Sequence, residues 1–255
     1  MDNRQRVWDL AAVGLLTMAI ALVASTGIAS GSWKSVRGKP AQRKLRVTGS
    51  AKKRIVSDLI EWSASVQTHA ADRVTASKEL RKASQQTVAF LKKQGIKPEE
   101  IEPQSATVKE TFETQYLGAL PNRIEKQVSK GFDATQAIVI KSTDMARIER
   151  ASREVTSLLE EGVVITSEEP AYYYTRLGEL KVEMLAAAAR DARARAENIV
   201  KSTGGAQIGK LLGADMGIIN VNPANSTETS EQGNNDTSSL EKDILTIVHA
   251  EFELE

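Results

Sequence analysis

The stretch from Pro170 to Gly213 determines the predicted fold of this chain. It begins Pro170-Ala-Tyr-Tyr-Tyr-Thr-Arg-Leu-Gly-Glu-Leu-Lys-Val-Glu-Met-Leu185, continues as a run rich in alanine and arginine, and ends with Thr203-Gly204-Gly205 and Ile208-Gly209-Lys210-Leu211. This order predicts an aromatic strand, a long helix that stops at the double glycine, and another strand. Alanine occupies positions 186–189, 192, 194 and 196. One face of the predicted helix is therefore nearly flat and can lie close against a sheet.

The helical run Met184-Leu-Ala-Ala-Ala-Ala-Arg-Asp-Ala-Arg-Ala-Arg-Ala196, together with the strand before it and the glycines after it, resembles the carboxyl-terminal part of the SIMPL domain family. The resemblance extends from about Leu45 to Glu255. It implies a bacterial envelope protein, because some members are linked to oxidative-stress defence, some are surface antigens and some assemble into large rings. The motifs that carry the resemblance are structural, so it implies no catalytic residue.

The folded part begins with strand-like and helix-like patterns in alternation. Apolar residues alternate with polar ones from Ile60 to Gln67, which predicts a strand of an antiparallel sheet with one face in water. Asp72 is a candidate helix cap before an apolar stripe with steps of three and four residues, and Gly95 ends that helix. A second strand, helix and strand follow the same plan between Phe132 and Ile165.

Two strand pairs complete the predicted architecture. Residues Thr107 to Lys126, with Leu120-Pro121-Asn122 as the turn, predict a hairpin. Two last strands, at about 210–221 and 243–254, flank the polar segment 222–239, which contains no large apolar side chain. Because such a segment cannot offset its ordering entropy by burial, we predict a disordered loop there.

The elements together predict an α+β fold over residues 44–255. Mostly antiparallel sheet or sheets carry three amphipathic helices packed on one face, and an N-terminal transmembrane helix precedes them. We expect one domain rather than two, because the last strand repeats the alternation of the early strands and needs a neighbour in the sheet.

Residues 1–30 form the predicted membrane anchor. No residue from Leu10 to Trp33 is charged, and a helix of these 24 residues would extend roughly 36 Å, more than the hydrocarbon of a bilayer. We predict that the segment is retained and contacts the membrane through residues 8–30. Two alternatives stay open: a cleaved signal peptide, since Gly27-Ile28-Ala29 suits a small-residue cleavage site, and a buried globular helix.

Residues 31–43 form a basic juxtamembrane linker of Gly, Ser, Pro, Lys and Arg. The linker is a solvated tether or, alternatively, contacts anionic lipid through Lys34, Arg37 and Lys39. More basic residues follow the span than precede it, which by the positive-inside rule favours a cytoplasmic domain. Long domains are exported regardless of this count, and the resemblance implies export. We therefore predict a domain on the periplasmic or extracytoplasmic side.

Two clusters are candidate subunit contacts. Three consecutive tyrosines follow Ala171, and tyrosine is enriched at the centres of protein interfaces. Three arginines cover a broad arc of the Ala/Arg helix. Core packing for the tyrosines and a solvated face for the arginines are the alternatives. The candidate interface residues are Tyr172, Tyr173, Tyr174, Arg190, Arg193 and Arg195.

No catalytic residue, cofactor site or metal site is predicted. The chain has no cysteine, and His69 and His249 lie on separate predicted strands without a partner at metal-ligand spacing. The glycines at 204, 205 and 209 lack the spacing of a phosphate-binding loop, and Leu211 follows Lys210 where a magnesium-binding hydroxyl would stand. A net charge of +1 gives no reason to expect nucleic acid.

The sequence therefore predicts a membrane-anchored extracytoplasmic protein that acts by binding or by assembly into a homo-oligomer, in envelope or oxidative-stress defence. Two alternatives belong to other classes. One is an enzyme whose site is assembled from distant residues, such as His69 with an acid. The other is a lipid-surface adaptor that uses residues 34–54 as a basic collar.

Overall fold

The computed structural model describes residues 43–118, 123–230 and 232–255. Nine strands and three α-helices are named there in chain order. They are β1 (Lys44–Val56), β2 (Leu59–Ala70), α1 (Arg73–Lys93), β3 (Ile101–Pro103), β4 (Thr107–Leu117), β5 (Ile124–Ser142), α2 (Met145–Glu154), β6 (Val164–Ser167), β7 (Ala171–Tyr173), α3 (Leu177–Thr203), β8 (Ile208–Pro223) and β9 (Glu241–Leu254). Short 3-10 turns at Pro98–Glu100 and Val155–Leu159 complete the set.

A six-stranded antiparallel sheet forms the centre of the larger part of the fold. Its order is β3-β5-β2-β6, with β4 also paired to β5 and β7 to β2. The register between β2 and β5 places Trp62 opposite Ile140 and Ala64 opposite Ile138. These four side chains are buried, whereas Gln67 is exposed. The alternation predicted from the sequence is therefore confirmed.

Helices α1 and α2 cover this sheet. Helix α1 begins at the predicted cap, Asp72, and α2 begins at Asp144, one of three cap candidates in the run Ser142-Thr143-Asp144. The Asp72 carboxylate accepts hydrogen bonds from the backbone N–H groups of Val74 and Thr75, and that of Asp144 accepts from Arg147. The chain leaves α1 through Gly95, whose φ is +84°. The two helices and the sheet share one core, which includes Ile60, Trp62, Leu80, Leu91, Ile138, Ile140, Ile148 and Leu158.

Helix α3 belongs to a different sheet, so the expectation that all three helices pack on one face is corrected. The second sheet has three strands in the order β1-β9-β8. Leu180 and Met184 of α3 form a separate core with Ile55, Val221 and Ile244. The sequence could not separate the two sheets, because every strand shows the same two-residue period whichever sheet it joins.

Close approach of backbones holds α3 against β1. Ala188 and Ala192 are fully buried, and a Cβ atom on Gly49 of β1 would lie 2.7 Å from the Cα atom of Ala192 and would also overlap the Ala188 carbonyl. Only glycine fits this position. The flat alanine face predicted from the sequence is therefore confirmed.

The described residues form two compact units. The larger contains Thr48–Arg193 and Asp215–His249. The smaller contains Ala194–Ala214 and Ala250–Glu255, together with the described residues up to Val47. In the smaller unit, Gln207 and Glu255 exchange two backbone hydrogen bonds, at 2.9 and 3.0 Å.

The predicted anchor and the linker up to Gln42 lie outside the described residues. This includes the membrane contact at residues 8–30 and the basic residues Lys34, Arg37 and Lys39. The predicted turn Leu120-Pro121-Asn122 also lies outside them. Of the helices within the described ranges, none has the length and apolar character needed to cross a membrane.

Candidate functional site

The three tyrosines of the predicted interface have three different environments. Tyr172 is half-buried against the core under α2, and its hydroxyl donates to the Glu149 carboxylate at 2.8 Å. Burial, and then the hydrogen bond to Glu149, raise the pKa of Tyr172 to about 12. Tyr174 packs against the core under α3, and Tyr173 is 38% exposed. Tyr173 is therefore the member of the cluster with most surface left for a partner.

Each of the three arginines on α3 is exposed, whereas Met184, Ala188 and Ala192 of the same helix are buried. Asp191, between Arg190 and Arg193, accepts a hydrogen bond from the Ser50 backbone N–H at 2.8 Å. This bond links the exposed side of α3 to β1. A role in subunit contact stays a prediction for all three arginines.

His69 pairs with Asp133 near the end of the β2–β5 strand pair in the six-stranded sheet. Its Nδ1 atom lies 2.6 Å from Asp133 Oδ1, and its Nε2 atom lies 3.1 Å from the Lys130 carbonyl oxygen. Both ring nitrogens thus have oxygen atoms within hydrogen-bond distance, which holds the ring in place. His249 is elsewhere, with Nδ1 3.0 Å from Thr48 Oγ1. Among the described residues no group of three or more His, Asp or Glu side chains is arranged to hold a metal ion.

The largest feature that the site prediction missed is the outer half of the β4–β5 hairpin, residues 111–118 and 123–131, which we call the arm. Pairing of β5 with β2 ends at Phe132 opposite Ala70, whereas pairing with β4 continues to Ile124 opposite Leu117. The hairpin was predicted, but not its extension beyond the sheet. The sequence pattern places the hairpin and the strand that begins at Phe132 in separate elements, whereas in the structure β5 is one strand of 19 residues against 12 in β2.

The arm exposes apolar side chains on both of its faces. Cross-strand register places Phe112 and Tyr116 on one face and Leu117 and Ile124 on the other. Their exposed fractions are 56%, 52%, 52% and 67%. The Arg123 guanidinium lies over the Tyr116 ring at 3.5 Å from its centroid, and Gln127 donates to Thr114 Oγ1 at 2.7 Å. The side chains thus order one another across the two strands but remain uncovered.

The backbone of the arm is also open on both sides. In the described chain, residues 124–131 of β5 pair with β4 alone, and β4 pairs with β5 alone. Each strand therefore has a row of backbone donors and acceptors facing outward, which is a template for pairing with another strand. A two-stranded ribbon without a covered face is only marginally stable by itself in water.

A β-bulge joins the arm to the sheet. The register shifts between Thr111 and Phe112, because Thr111 lies opposite Gly131 and Phe112 opposite Ser129. Lys130 is the extra residue, and its carbonyl is the one that faces His69. Gly131 has φ of +119°, and a Cβ atom there would lie 2.5 Å from the Ala70 carbonyl oxygen and 3.0 Å from His69 Nε2. The Ala70 carbonyl and the His69 ring therefore both require glycine beside the bulge.

Residues 222–239, which we call the polar loop, were predicted to be disordered, and the structure describes an arrangement held by hydrogen bonds instead. The Asn220 carboxamide oxygen accepts from the backbone N–H groups of Ser230 and Asn234. Asn222 is 3% exposed and bonds both Glu228 and Asn234. We predicted disorder because the segment has no large apolar side chain to bury. That prediction took no account of hydrogen bonds with side-chain amides, which connect this segment to β8.

A buried ion pair fixes the far side of the polar loop. Lys242 is 2% exposed, and its Nζ atom donates to Asp236 Oδ2 at 2.9 Å and to the Asp236 carbonyl at 2.6 Å. Burial by itself would raise the pKa of Asp236, but hydrogen bonds from Ser238 and Lys242 outweigh it and lower the pKa to about 2. Nothing in the sequence distinguishes Lys242 from the solvated lysines around it.

Basic residues of β1 form ion pairs within the fold. Lys44 and Arg46 pair with Glu251 in the smaller unit. In the larger unit, Lys53 pairs with Glu183, and Lys52 and Arg54 pair with the buried carboxylate of Asp243. The hydrogen bond from Arg54 is the main reason that the pKa of Asp243 lies well below its usual range. In these pairs five basic residues of β1 thus share three carboxylates, so each has a partner within the fold although the group keeps a net positive charge.

One protein-family model matches this chain. It is described as "SIMPL: Protein of unknown function (DUF541)", and the match covers residues 45–244. The matched range contains the arm, all three helices and the polar loop. A search of curated proteins found no match.

Proposed function

The chain belongs to the SIMPL family, and from that premise we propose that it acts by assembly: identical chains, tethered to a membrane, associate through their arms on the extracytoplasmic side. The observation that carries this proposal is the arm, which has two apolar faces and two open strand edges. A surface with these properties is stable when another strand or side chain covers it.

A second copy of the chain is the partner that the arm fits best. Its charges are of both signs, with Glu113 and Glu125 against Arg123, Lys126 and Lys130. A surface of mixed sign complements itself, whereas nucleic acid or an anionic bilayer would favour an excess of basic residues. Strand pairing between two arms would also give each open backbone edge its hydrogen bonds.

Tethering is the second part of the proposal, and the uncharged run Leu10–Trp33 supports it. An anchor would hold every copy at the same height above a bilayer and restrict encounters to two dimensions. Involvement in envelope or oxidative-stress defence is proposed from the family resemblance alone. We infer no enzymatic activity, cofactor or nucleic-acid partner.

The mass of the full chain in detergent, measured by light scattering, tests the assembly. We expect a particle of several copies for the unmodified protein. Combined Phe112→Ser, Tyr116→Ser, Leu117→Ser and Ile124→Ser should reduce it to one copy. The matched control replaces exposed apolar side chains away from the arm, Val74→Ser, Leu159→Ser, Val164→Ser and Val182→Ser, and should keep the mass of the unmodified protein.

Either of two results would contradict the assembly proposal. One is a monomer for the unmodified protein at micromolar concentration, and the other is an unchanged mass for the arm variant. The tether is tested separately, by the intact mass of the protein from its native membranes. A chain that begins after Ala29 would show a cleaved signal peptide instead of an anchor.

A further inference from the structure

A groove runs along α1, on the side that faces the connection between β3 and β4. Its volume is about 530 Å³, within the usual size of sites for small molecules. Leu80, Val88 and Ala89 of α1 form one wall, and Pro103 and Ala106 form the other. The groove lies entirely in the larger unit, and the arm contributes no residue to it.

The polar groups inside the groove are already paired with one another. Ser84 Oγ donates to Gln136 Oε1 at 2.6 Å, and Gln136 Nε2 donates to the Gln104 carbonyl oxygen at 2.7 Å. The interior thus offers mainly apolar surface to a ligand. An aliphatic chain would cover Val88, Ala89 and Pro103 without breaking these hydrogen bonds.

Two cationic side chains stand along the groove, about three helical turns apart. Arg81 and Lys92 both line it and are exposed. They are eleven residues apart, which is three helical turns or about 16 Å on one face of α1. Neither side chain forms an ion pair or hydrogen bond within the part of the chain that the structure describes, and none of the lining residues is acidic. The basic residues of β1 differ in this respect, because their carboxylate partners lie beside them.

We propose that this groove binds a single-chain anionic amphiphile, with the aliphatic chain along the apolar walls and a carboxylate on Arg81 or Lys92. An arginine binds a carboxylate through two parallel N–H donors, and the apolar surface adds affinity in proportion to the area that leaves water. The ligand is the free, monomeric amphiphile rather than a bilayer surface, because apolar residues of α1 and of the β3–β4 connection line opposite sides of the groove and both cations line it as well. This proposal is independent of the assembly proposed above.

Site-resolved photolabelling of the full chain in zwitterionic nanodiscs tests the proposal. The probe is a decanoate that carries a photoreactive group at its chain end. We expect labelled residues along the groove, near Val88 and Pro103, and competition by unlabelled decanoate. Lengthening the competitor should lower the concentration required by up to about fourfold per methylene. Decanol should compete about tenfold less well than decanoate, or worse, because it lacks the charge.

Paired variants on the same helix supply the control. Arg81→Gln with Lys92→Gln should reduce labelling of the groove by about tenfold or more. Lys82→Gln with Lys93→Gln removes the same charge from exposed neighbours that do not line the groove and should label like the unmodified protein. Circular dichroism of both variants checks that α1 is intact.

Several results would overturn the proposal. They are equal labelling of the two double variants, labelling spread over the surface, or equal competition by decanol and decanoate. Competition by an acidic peptide but not by decanoate would assign the groove to a peptide instead. Loss of labelling with phosphatidylglycerol vesicles at concentrations where monomeric decanoate has no effect would assign the cations to a bilayer surface.

Discussion

The arm and the polar loop each lie at the end of a pair of neighbouring strands, and the composition of each suggests the wrong degree of burial. The polar loop contains no large apolar residue, yet Asn222, Asp236 and Lys242 hold it through buried hydrogen bonds. The arm contains Phe112, Tyr116, Leu117 and Ile124, yet all four are more than half exposed. Order in a connection thus depends on whether its polar groups find partners and its apolar groups find cover.

The difference also separates stability from function in this molecule. A polar loop with buried partners has little left to offer to another molecule, because its donors and acceptors are already used. An arm whose faces and edges are open gains stability only on association. We therefore expect substitutions in the loop to change unfolding and substitutions in the arm to change assembly.

The largest effect is expected at Asp236. Asp236→Ala leaves Lys242 buried with a single carbonyl partner, so the free energy of unfolding should fall by about 3–5 kcal/mol. Glu228→Ala removes the same charge from an exposed position of the same loop and should change it by less than about 0.5 kcal/mol. Denaturant titration of the full chain in detergent measures both. Equal losses for the two variants would show that the ion pair does not hold the loop.

Acid should weaken the polar loop in a defined range of pH. The pKa of Asp236 is lowered from 3.8 to about 2, so its ionised form stabilises the fold by roughly 2–3 kcal/mol at neutral pH. This contribution is complete above the ordinary pKa and is lost as pH falls from about 4 to about 2. The stability difference between the unmodified protein and Asp236→Asn should narrow over that range. A difference independent of pH would contradict the assignment.

The contact between α3 and β1 extends the comparison to apolar groups that are fully covered. Ala188→Leu would force three extra carbon atoms against Gly49, and we expect a loss of about 1–3 kcal/mol. Ala189→Leu places the same side chain on the exposed side of the helix and should stay within about 0.5 kcal/mol. Thermal or denaturant unfolding compares the two variants. Similar stability would mean that α3 is not packed as closely as described.

The smallest effect on stability is expected in the arm. Phe112→Ala should change the unfolding of the dilute, monomeric protein by less than about 0.5 kcal/mol, because the ring is 56% exposed. Phe132→Ala, in the same hairpin but packed against the core, should cost clearly more. At concentrations where chains associate, Phe112→Ala should reduce the mass of the particle more than Phe132→Ala does. A loss of several kcal/mol from Phe112→Ala in the monomer would show that the arm is covered by its own chain.

Local signals in the sequence predicted most of the elements, and long-range partners account for the rest. Two-residue alternation in β2 and the caps at Asp72 and Asp144 are properties of a few neighbouring residues, so they could be read directly. The assignment of α3 to a second sheet depends on contacts between Leu180 and residues more than a hundred positions away, such as Ile55. No local pattern carries that information.

The candidate sites were harder to predict for the same reason. Lys242 is a lysine in a polar neighbourhood until the fold buries it against Asp236. The groove exists only because α1 and the β3–β4 connection meet, and Arg81 and Lys92 look like ordinary solvated charges in the sequence. The arm follows from β5 being longer than β2, which only the structure shows, because the sequence pattern divides β5 between the hairpin and the strand that begins at Phe132.

The bulge at Lys130 determines on which face of the arm each β5 side chain beyond it lies. Side chains alternate with a period of two along a strand, so one extra residue moves the distal part of β5 by half a period relative to β4. Loss of the bulge, with Lys130 kept and paired regularly with Phe112, would exchange the two faces along β5 from Ile124 to Ser129. Adding two residues to each strand beyond the bulge would leave both faces as they are. The arm can therefore become longer or shorter by two residue pairs at a time without a change in which side chains share a face. That assignment depends on the bulge near the sheet.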